Sequence, residues 1–161
     1  MKETIALLKE SARRNEAGPC NHESASEDES FRAAFLAKVR ENRSPWPIQI
    51  KLASPDAPHF DGAKLLIAAD CCAYTCRDFH EKYQSGKVTL IGCPKLDSTD
   101  YTEKLCSIFT RNNISAVTVA RMEVPCCSTI VGVTARAIRN SGKDLPLKVA
   151  TLSIDGEPVE Q

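Results

Sequence analysis

Cysteines follow three apolar segments of this sequence, each at the point where the apolar run stops. Cys71 and Cys72 follow the first segment, Cys93 follows the second, and Cys126 and Cys127 follow the third. Thiolates from three loops suit zinc in a four-coordinate shell, or an iron–sulfur cluster with one cysteine per iron. The sequence therefore predicts a composite thiol site that holds a 4Fe-4S cluster or zinc.

Four of these thiols form the predicted ligand set, because four sulfurs complete such a shell: Cys71, Cys93, Cys126 and Cys127. Other side chains near them in the sequence are candidates to tune the charge of the site or to act as acid and base. This second group comprises Asp70, Cys72, Cys76, His80, Lys95 and Glu123. Each of its members also has an ordinary structural interpretation, such as a helix cap for Asp70, a solvated chain for Lys95 and core packing for Cys72.

Two other functions are compatible with the same residues. Adjacent Cys126 and Cys127 are also typical of a thiol–disulfide redox enzyme, in which one sulfur attacks and a neighbour resolves through a disulfide. A nucleotide- or flavin-binding module is the third hypothesis, although the sequence contains neither a G-x-G-x-x-G motif nor a P-loop.

Apolar strands alternate with helices from residue 64 onward. The predicted strands cover residues 64–69, 87–91, 114–122 and 147–154, and the predicted helices cover residues 77–84, 99–112 and 129–140. Alternating Ile48, Ile50 and Leu52 predict an earlier strand with one wet face, and Asp155-Gly156 is a turn signal near the end of the chain. We expect an open α/β fold, a three-layer sandwich of Rossmann or flavodoxin-like type whose mostly parallel sheet has helices on both faces. Ligands of such sheets bind outside the carboxyl ends of the strands, which is where the cysteines lie.

The first 45 residues differ in composition from the rest of the chain. Helical apolar spacing occurs over residues 2–14 and 31–39, and an acidic polar stretch separates the two. We therefore predict an N-terminal helical and linker segment over residues 1–45, which adds helices to an α/β cysteine-site domain over residues 46–161. The N-terminus has neither the apolar core of a signal peptide nor a membrane span, so we expect a cytoplasmic protein.

Composition limits the partners of the protein. The 161 residues include 21 basic and 21 acidic side chains, and this balance argues against a nucleic-acid-binding surface. The 8 cysteines, in a reducing compartment, are more often metal ligands or reactive thiols than disulfide staples. We expect a redox partner protein, and neither nucleic acid nor a membrane.

Four blocks between residues 46 and 132 resemble a known family, and their sequences are ADC (69–71), DFH (78–80), LIGCPKLD (90–97) and RMEVPCC (121–127). The family comprises small bacterial and archaeal iron–sulfur cluster-binding, ferredoxin-like oxidoreductase proteins, and the likeness is to their α/β domain. The resemblance implies that Cys71, Cys93, Cys126 and Cys127 are the motif cysteines. Members of the family commonly carry an N-terminal ferredoxin segment, whereas the first 45 residues of this chain contain only Cys20.

Overall fold

The computed structural model of the chain describes residues 44–159. Five strands form one sheet in the order β2-β1-β3-β4-β5. The strands are β1 (Lys64–Ala69), β2 (Val88–Gly92), β3 (Ala116–Met122), β4 (Leu147–Leu152) and β5 (Pro158–Val159). The first four run parallel, and β5 pairs antiparallel with β4. The predicted open, mostly parallel α/β sheet is confirmed, while the predicted helices of residues 1–43 lie outside the described residues.

The helices fall between the strands, as the alternating pattern predicts. They are α1 (Asp70–Thr75), α2 (Pro94–Asp97), α3 (Thr102–Arg111) and α4 (Ser128–Ser141), with a π-helical turn at His80–Gln84. The predicted helix over residues 77–84 differs from this arrangement. Helix α1 instead starts directly at the end of β1 and stops at Cys76, whose backbone is extended, so only the second half of the predicted span is helical. No helix among the described residues is long and apolar enough to cross a membrane.

The core lies on both faces of β1, an interior strand of the sheet. Every residue of β1 after Lys64 is buried, as expected for a parallel strand covered on both sides. Helices α3 and α4 pack against each other on one face of the sheet and bury Leu105, Ile108 and Ile130. The connection from β1 to β2 runs along the sheet in the direction opposite to the connections that contain α3 and α4. A right-handed crossover therefore places it on the face of the sheet that α3 and α4 leave free.

The predicted strand over residues 48–52 is reduced to one bridge. Gln49 pairs with Ile91 at the outer edge of β2, and the Ile50 amide donates to the Ile91 carbonyl at 3.0 Å. The chain then turns, because the amides of Leu52 and Ala53 both donate to the Gln49 carbonyl at 3.0 Å. Leu52 is consequently 66% exposed, although the alternating pattern had placed it on the buried side with Ile50.

The strand order creates a crevice between β1 and β3. The chain leaves β1 toward β2, and returns past β1 to β3, so the connections after these two neighbouring strands depart in opposite directions. Ala68 of β1 is in register with Ala120 of β3, which brings the two strand ends level with each other. This is the topological switch point, the usual ligand-binding position of an open α/β sheet.

Candidate thiol site at the carboxyl edge of the sheet

The first wall of the crevice is the start of α1. Strand β1 enters this helix with no intervening loop, so Asp70, Cys71 and Cys72 are its first three residues. Successive residues of a helix point in different directions, about a third of a turn apart. Cys71 is therefore exposed while Cys72 is fully buried, and Asp70 is half-buried between these extremes.

The second wall is the turn that follows β3. Pro125–Cys127 forms a 3-10 turn, in which the Cys127 amide donates to the Val124 carbonyl at 3.1 Å. This turn continues directly into α4, so the adjacent cysteines lie at the N-terminal end of a long helix. Cys126 is exposed and Cys127 is only 5% exposed, and the Arg121 guanidinium donates to the hydroxyl of Ser128 at 2.8 Å.

The sulfurs of the two walls lie close enough to influence one another. Burial raises the pKa of the Cys127 thiol, and the neighbouring sulfurs of Cys126 and Cys71 raise it further. Burial also raises the pKa of Cys72 to about 12, with Cys127 as the next cause. We call this group the sulfur cluster, and its members are Cys71, Cys72, Cys76, Cys126 and Cys127, all of them free thiols.

Cys93 belongs to a different group on the β2 side of β1. It follows β2 and is half-buried beside Tyr101, whose hydroxyl donates to the Asp97 carboxylate. Burial and this hydrogen bond raise the pKa of Tyr101, and negative charge on Asp97, Asp70 and Cys93 adds to the shift. We call these four residues the carboxylate–tyrosine cluster: Asp70, Cys93, Asp97 and Tyr101.

Asp70 contributes an unusual carboxylate to this second cluster. Its Oδ1 atom is buried and has no hydrogen-bond partner among the described residues. Burial raises the pKa of Asp70, and the charge of Asp97 raises it further. The predicted capping role is not observed, because no side chain caps the N-terminus of α1.

Gly92 at the end of β2 makes room for Tyr101. A Cβ atom at this position would lie 2.7 Å from the Tyr101 hydroxyl oxygen and 2.9 Å from Cζ of the same ring. Tyr101 itself is almost completely buried. Sequence reasoning identified Cys93 but missed Gly92, Asp97 and Tyr101, because Asp97 ends α2 and Tyr101 precedes α3, so no helical periodicity relates them.

Three residues predicted to tune the site are exposed, and their recorded hydrogen bonds do not involve the cysteine sulfurs. His80 is exposed and hydrogen-bonds Gln84 within the π-helical turn. Lys95 is exposed on α2. Glu123 accepts a hydrogen bond from the Ile154 amide at 3.0 Å, so it joins the end of β3 to the segment after β4.

The arrangement does not provide a ready-made metal shell. Within residues 44–159, no three His, Cys, Asp or Glu side chains are grouped so that they could hold a metal ion. Cys127 interacts electrostatically with Cys126 and with Cys71, whereas Cys93 lies beside Tyr101. As placed, these residues do not fit zinc or a four-iron cluster, and the four-cysteine ligand set stays a prediction.

Comparison with known proteins identifies the family. A family model described as a Rossmann-like domain matches residues 57–161. The chain belongs to this Rossmann-like domain family. An uncharacterized protein of Archaeoglobus fulgidus is 31% identical over 111 residues, which cover 69% of this chain and 79% of that protein. No solved structure matches the chain. The Rossmann-like domain agrees with the observed sheet, whereas nothing in these matches supports the iron–sulfur oxidoreductase part of the resemblance.

Proposed function

We propose that this Rossmann-like domain is a thiol–disulfide redox protein, with Cys71 as the attacking residue and Cys127 as the resolving residue. The carrying observation is that the exposed Cys71 and the buried Cys127 follow β1 and β3, whose ends are level at the switch point, and that the Cys71 sulfur contributes to the raised pKa of Cys127. An exposed thiol can reach a partner disulfide, while a buried thiol meets only what is already bound to its neighbour. The proposed partner is a protein disulfide in the cytoplasm.

The proposed reaction transfers two electrons to the partner. The Cys71 thiolate attacks one sulfur of the partner disulfide, so that a mixed disulfide forms and the first partner thiol leaves. The Cys127 thiolate then attacks the Cys71 sulfur and releases the second partner thiol. The Cys71–Cys127 disulfide and two partner thiols are the products, and the two protons given up by Cys71 and Cys127 end on those thiols.

Backbone geometry disfavours Cys126 as the disulfide partner of Cys127. Cys126 and Cys127 are joined by a trans peptide, which holds their Cα atoms about 3.8 Å apart. Unstrained disulfides usually need Cα atoms about 4.4–6.8 Å apart. A disulfide between the adjacent pair would therefore strain the 3-10 turn, so we propose that Cys71, rather than Cys126, pairs with Cys127.

The charge around the N-terminus of α1 argues against the nucleotide alternative. Nucleotide sites in this fold hold phosphate at a glycine-rich loop between the first strand and a helix. Here β1 enters α1 without a loop, and the first helical residue is Asp70, with Asp97 nearby. Two carboxyl groups disfavour a bound phosphate.

The test is the redox equilibrium of the reduced protein in glutathione buffers, followed by acid quenching, alkylation and peptide mapping. We expect a single Cys71–Cys127 disulfide in the wild type. Cys127→Ser should trap the mixed disulfide at Cys71, and Cys106→Ser, which changes a half-buried thiol on α3, should behave like the wild type. A wild type in which Cys71 and Cys127 never become linked would contradict the proposal.

An iron–sulfur or zinc centre is the competing proposal, and the soft sulfur donors at two neighbouring strand ends favour it. Cys71, Cys126 and Cys127 would have to move together with Cys93 to form the shell. The test is metal and acid-labile sulfide analysis after anaerobic purification and after reconstitution with iron and sulfide. Stoichiometric metal that is lost in the Cys93→Ser variant would favour the metal centre, because Cys93 has no part in the thiol reaction.

A further inference from the structure

The segment between β4 and β5 forms a closed turn over residues 153–157. The Ser153 amide donates to the Glu157 carbonyl at 2.8 Å, and the Gly156 amide donates to the Ser153 carbonyl at 3.0 Å. Gly156 has a φ angle of +83°, a left-handed conformation that glycine adopts without strain. These bonds give the turn a defined shape rather than that of a loose tail.

One side of this turn is attached to the exit of β3. The Glu123 amide donates to the Leu152 carbonyl at 2.7 Å, and the Glu123 carboxylate accepts from the Ile154 amide at 3.0 Å. Glu123 stands shortly before Cys126 and Cys127 in the sequence. The turn therefore holds the backbone that leads into the cysteine pair.

The other side of the turn lies against the end of α1. A Cβ atom on Gly156 would be 2.3 Å from the Thr75 carbonyl oxygen and 3.0 Å from the Cys76 Cα atom. The turn and the helix are thus in direct backbone contact, and Gly156 is buried there. The Thr75 hydroxyl also donates to the Met122 sulfur at 3.5 Å, which links the same helix end to β3.

We infer that residues 153–157 are a clamp that sets the spacing between Cys71 and Cys127, with Glu123 and Gly156 as its positioning residues. The clamp touches both cysteine-bearing elements, namely α1 at Thr75 and the exit of β3 at Glu123. Its consequence for disulfide formation rests on the proposed thiol function. Loosening either contact lets the two elements separate, so the two sulfurs meet less often.

Phenylarsine oxide tests the spacing without a redox step, because trivalent arsenic bridges two thiols that lie close together. The full chain is used in a Cys126→Ser background, and the bridged residues are identified by peptide mapping. We expect Glu123→Ala to lower Cys71–Cys127 bridging about threefold, since it removes one hydrogen bond. Glu123→Gln keeps an oxygen acceptor for the Ile154 amide and should restore the bridging. Gly156→Ala should lower bridging about tenfold, because the left-handed φ angle is unfavourable for alanine and the added Cβ would collide with the Thr75 carbonyl.

Asp56→Ala is the control, because it removes an exposed carboxylate that pairs with Arg111 at the far end of α3. It should leave bridging unchanged. The inference is wrong if Glu123→Ala lowers the melting temperature but not the bridging, if Glu123→Gln fails to restore it, or if the parent protein forms no Cys71–Cys127 bridge. A wild type that bridges arsenic in a clamp-dependent way, yet forms no disulfide with glutathione, would support the clamp and contradict the proposed function.

Discussion

The sulfur cluster and the carboxylate–tyrosine cluster lie on opposite sides of β1. Both come from the same sequence pattern, in which a cysteine follows the end of an apolar strand. On the β3 side of β1, exposed Cys71 and buried Cys127 neighbour each other. On the β2 side, the single thiol of Cys93 lies with Asp97 and Tyr101 instead. The difference shows that a cysteine at a strand end does not by itself belong to a shared site.

Helix α1 explains how one strand end serves both clusters. Its first residue, Asp70, interacts with Asp97 and Tyr101, while its second residue, Cys71, interacts with Cys127. A step of one residue along a helix rotates the side chain by about a third of a turn, which is enough to change the cluster to which it belongs. The two clusters are thus adjacent, and α2, which contains Asp97, contacts the Pro125–Cys127 turn.

Serine substitutions should give the largest difference between the two clusters, which is a difference in the rate of disulfide reduction. We expect Cys71→Ser to slow the reduction of a small-molecule disulfide about a hundredfold or more, because the attacking sulfur is gone. Cys93→Ser should leave the rate within about twofold of the wild type, since its neighbours are Asp97 and Tyr101. Stopped-flow measurement under anaerobic conditions checks both rates. Equal losses in the two variants would mean that the clusters act as one site.

Alanine at Gly92 should produce the next largest effect, on stability rather than on thiol chemistry. The added Cβ would be 2.7 Å from the Tyr101 hydroxyl oxygen, so we expect the free energy of unfolding to fall by about 1–3 kcal/mol. Gly132→Ala is a matched control in α4, where the nearest atom is 3.8 Å away. Alanine there should instead stabilise the helix by about 0.5–1 kcal/mol. Urea unfolding measures both changes, and an unchanged Gly92→Ala variant would show that Tyr101 does not need this space.

Much of the fold could be predicted from the spacing of apolar residues, because buried parallel strands and amphipathic helices each have their own period. Strand β1 agrees with its prediction, and α4 extends one residue further at each end. The start of α1 could not be predicted from a turn signal, since β1 continues directly into the helix at Asp70. The division of the cysteines between two clusters could not be predicted either, because it depends on the directions that the side chains of Asp70 and Cys71 take in the folded helix.

Tyr101→Phe should weaken the carboxylate–tyrosine cluster and leave the sulfur cluster unchanged. The substitution removes the hydroxyl that donates to Asp97, so we expect the free energy of unfolding to fall by about 1 kcal/mol. Tyr74→Phe is the control, because Tyr74 is 95% exposed and should tolerate the same chemical change. Chemical denaturation gives the stability, and the disulfide-reduction rate of the same variant should equal that of the wild type. A slower disulfide-reduction rate in Tyr101→Phe would show that the two clusters are coupled.

The pH dependence of stability tests the buried part of the sulfur cluster, with an effect that develops only above about pH 9. Burial raises the pKa of Cys72 from 9.0 to about 12, so the folded protein keeps this thiol protonated while the unfolded chain ionises it. The stability that the protonated thiol contributes is therefore complete below about pH 9 and is lost as the pH rises toward about 12. We expect wild-type stability to fall more steeply with pH in this range than that of Cys72→Ala, by less than the full slope of about 1.4 kcal/mol per pH unit for one proton.

Urea unfolding under reducing conditions, from about pH 8 to pH 11, measures this slope. Cys72→Ala also loses core packing, but that loss shifts its curve by a constant amount and does not change the slope. Cys106→Ala is the control, because it removes a half-buried thiol on α3 that lies outside both clusters, and its curve should run parallel to that of the wild type. Parallel curves for Cys72→Ala and the wild type would show that Cys72 ionises as readily in the folded protein as in the unfolded chain, and the buried half of the sulfur cluster would then be open to water.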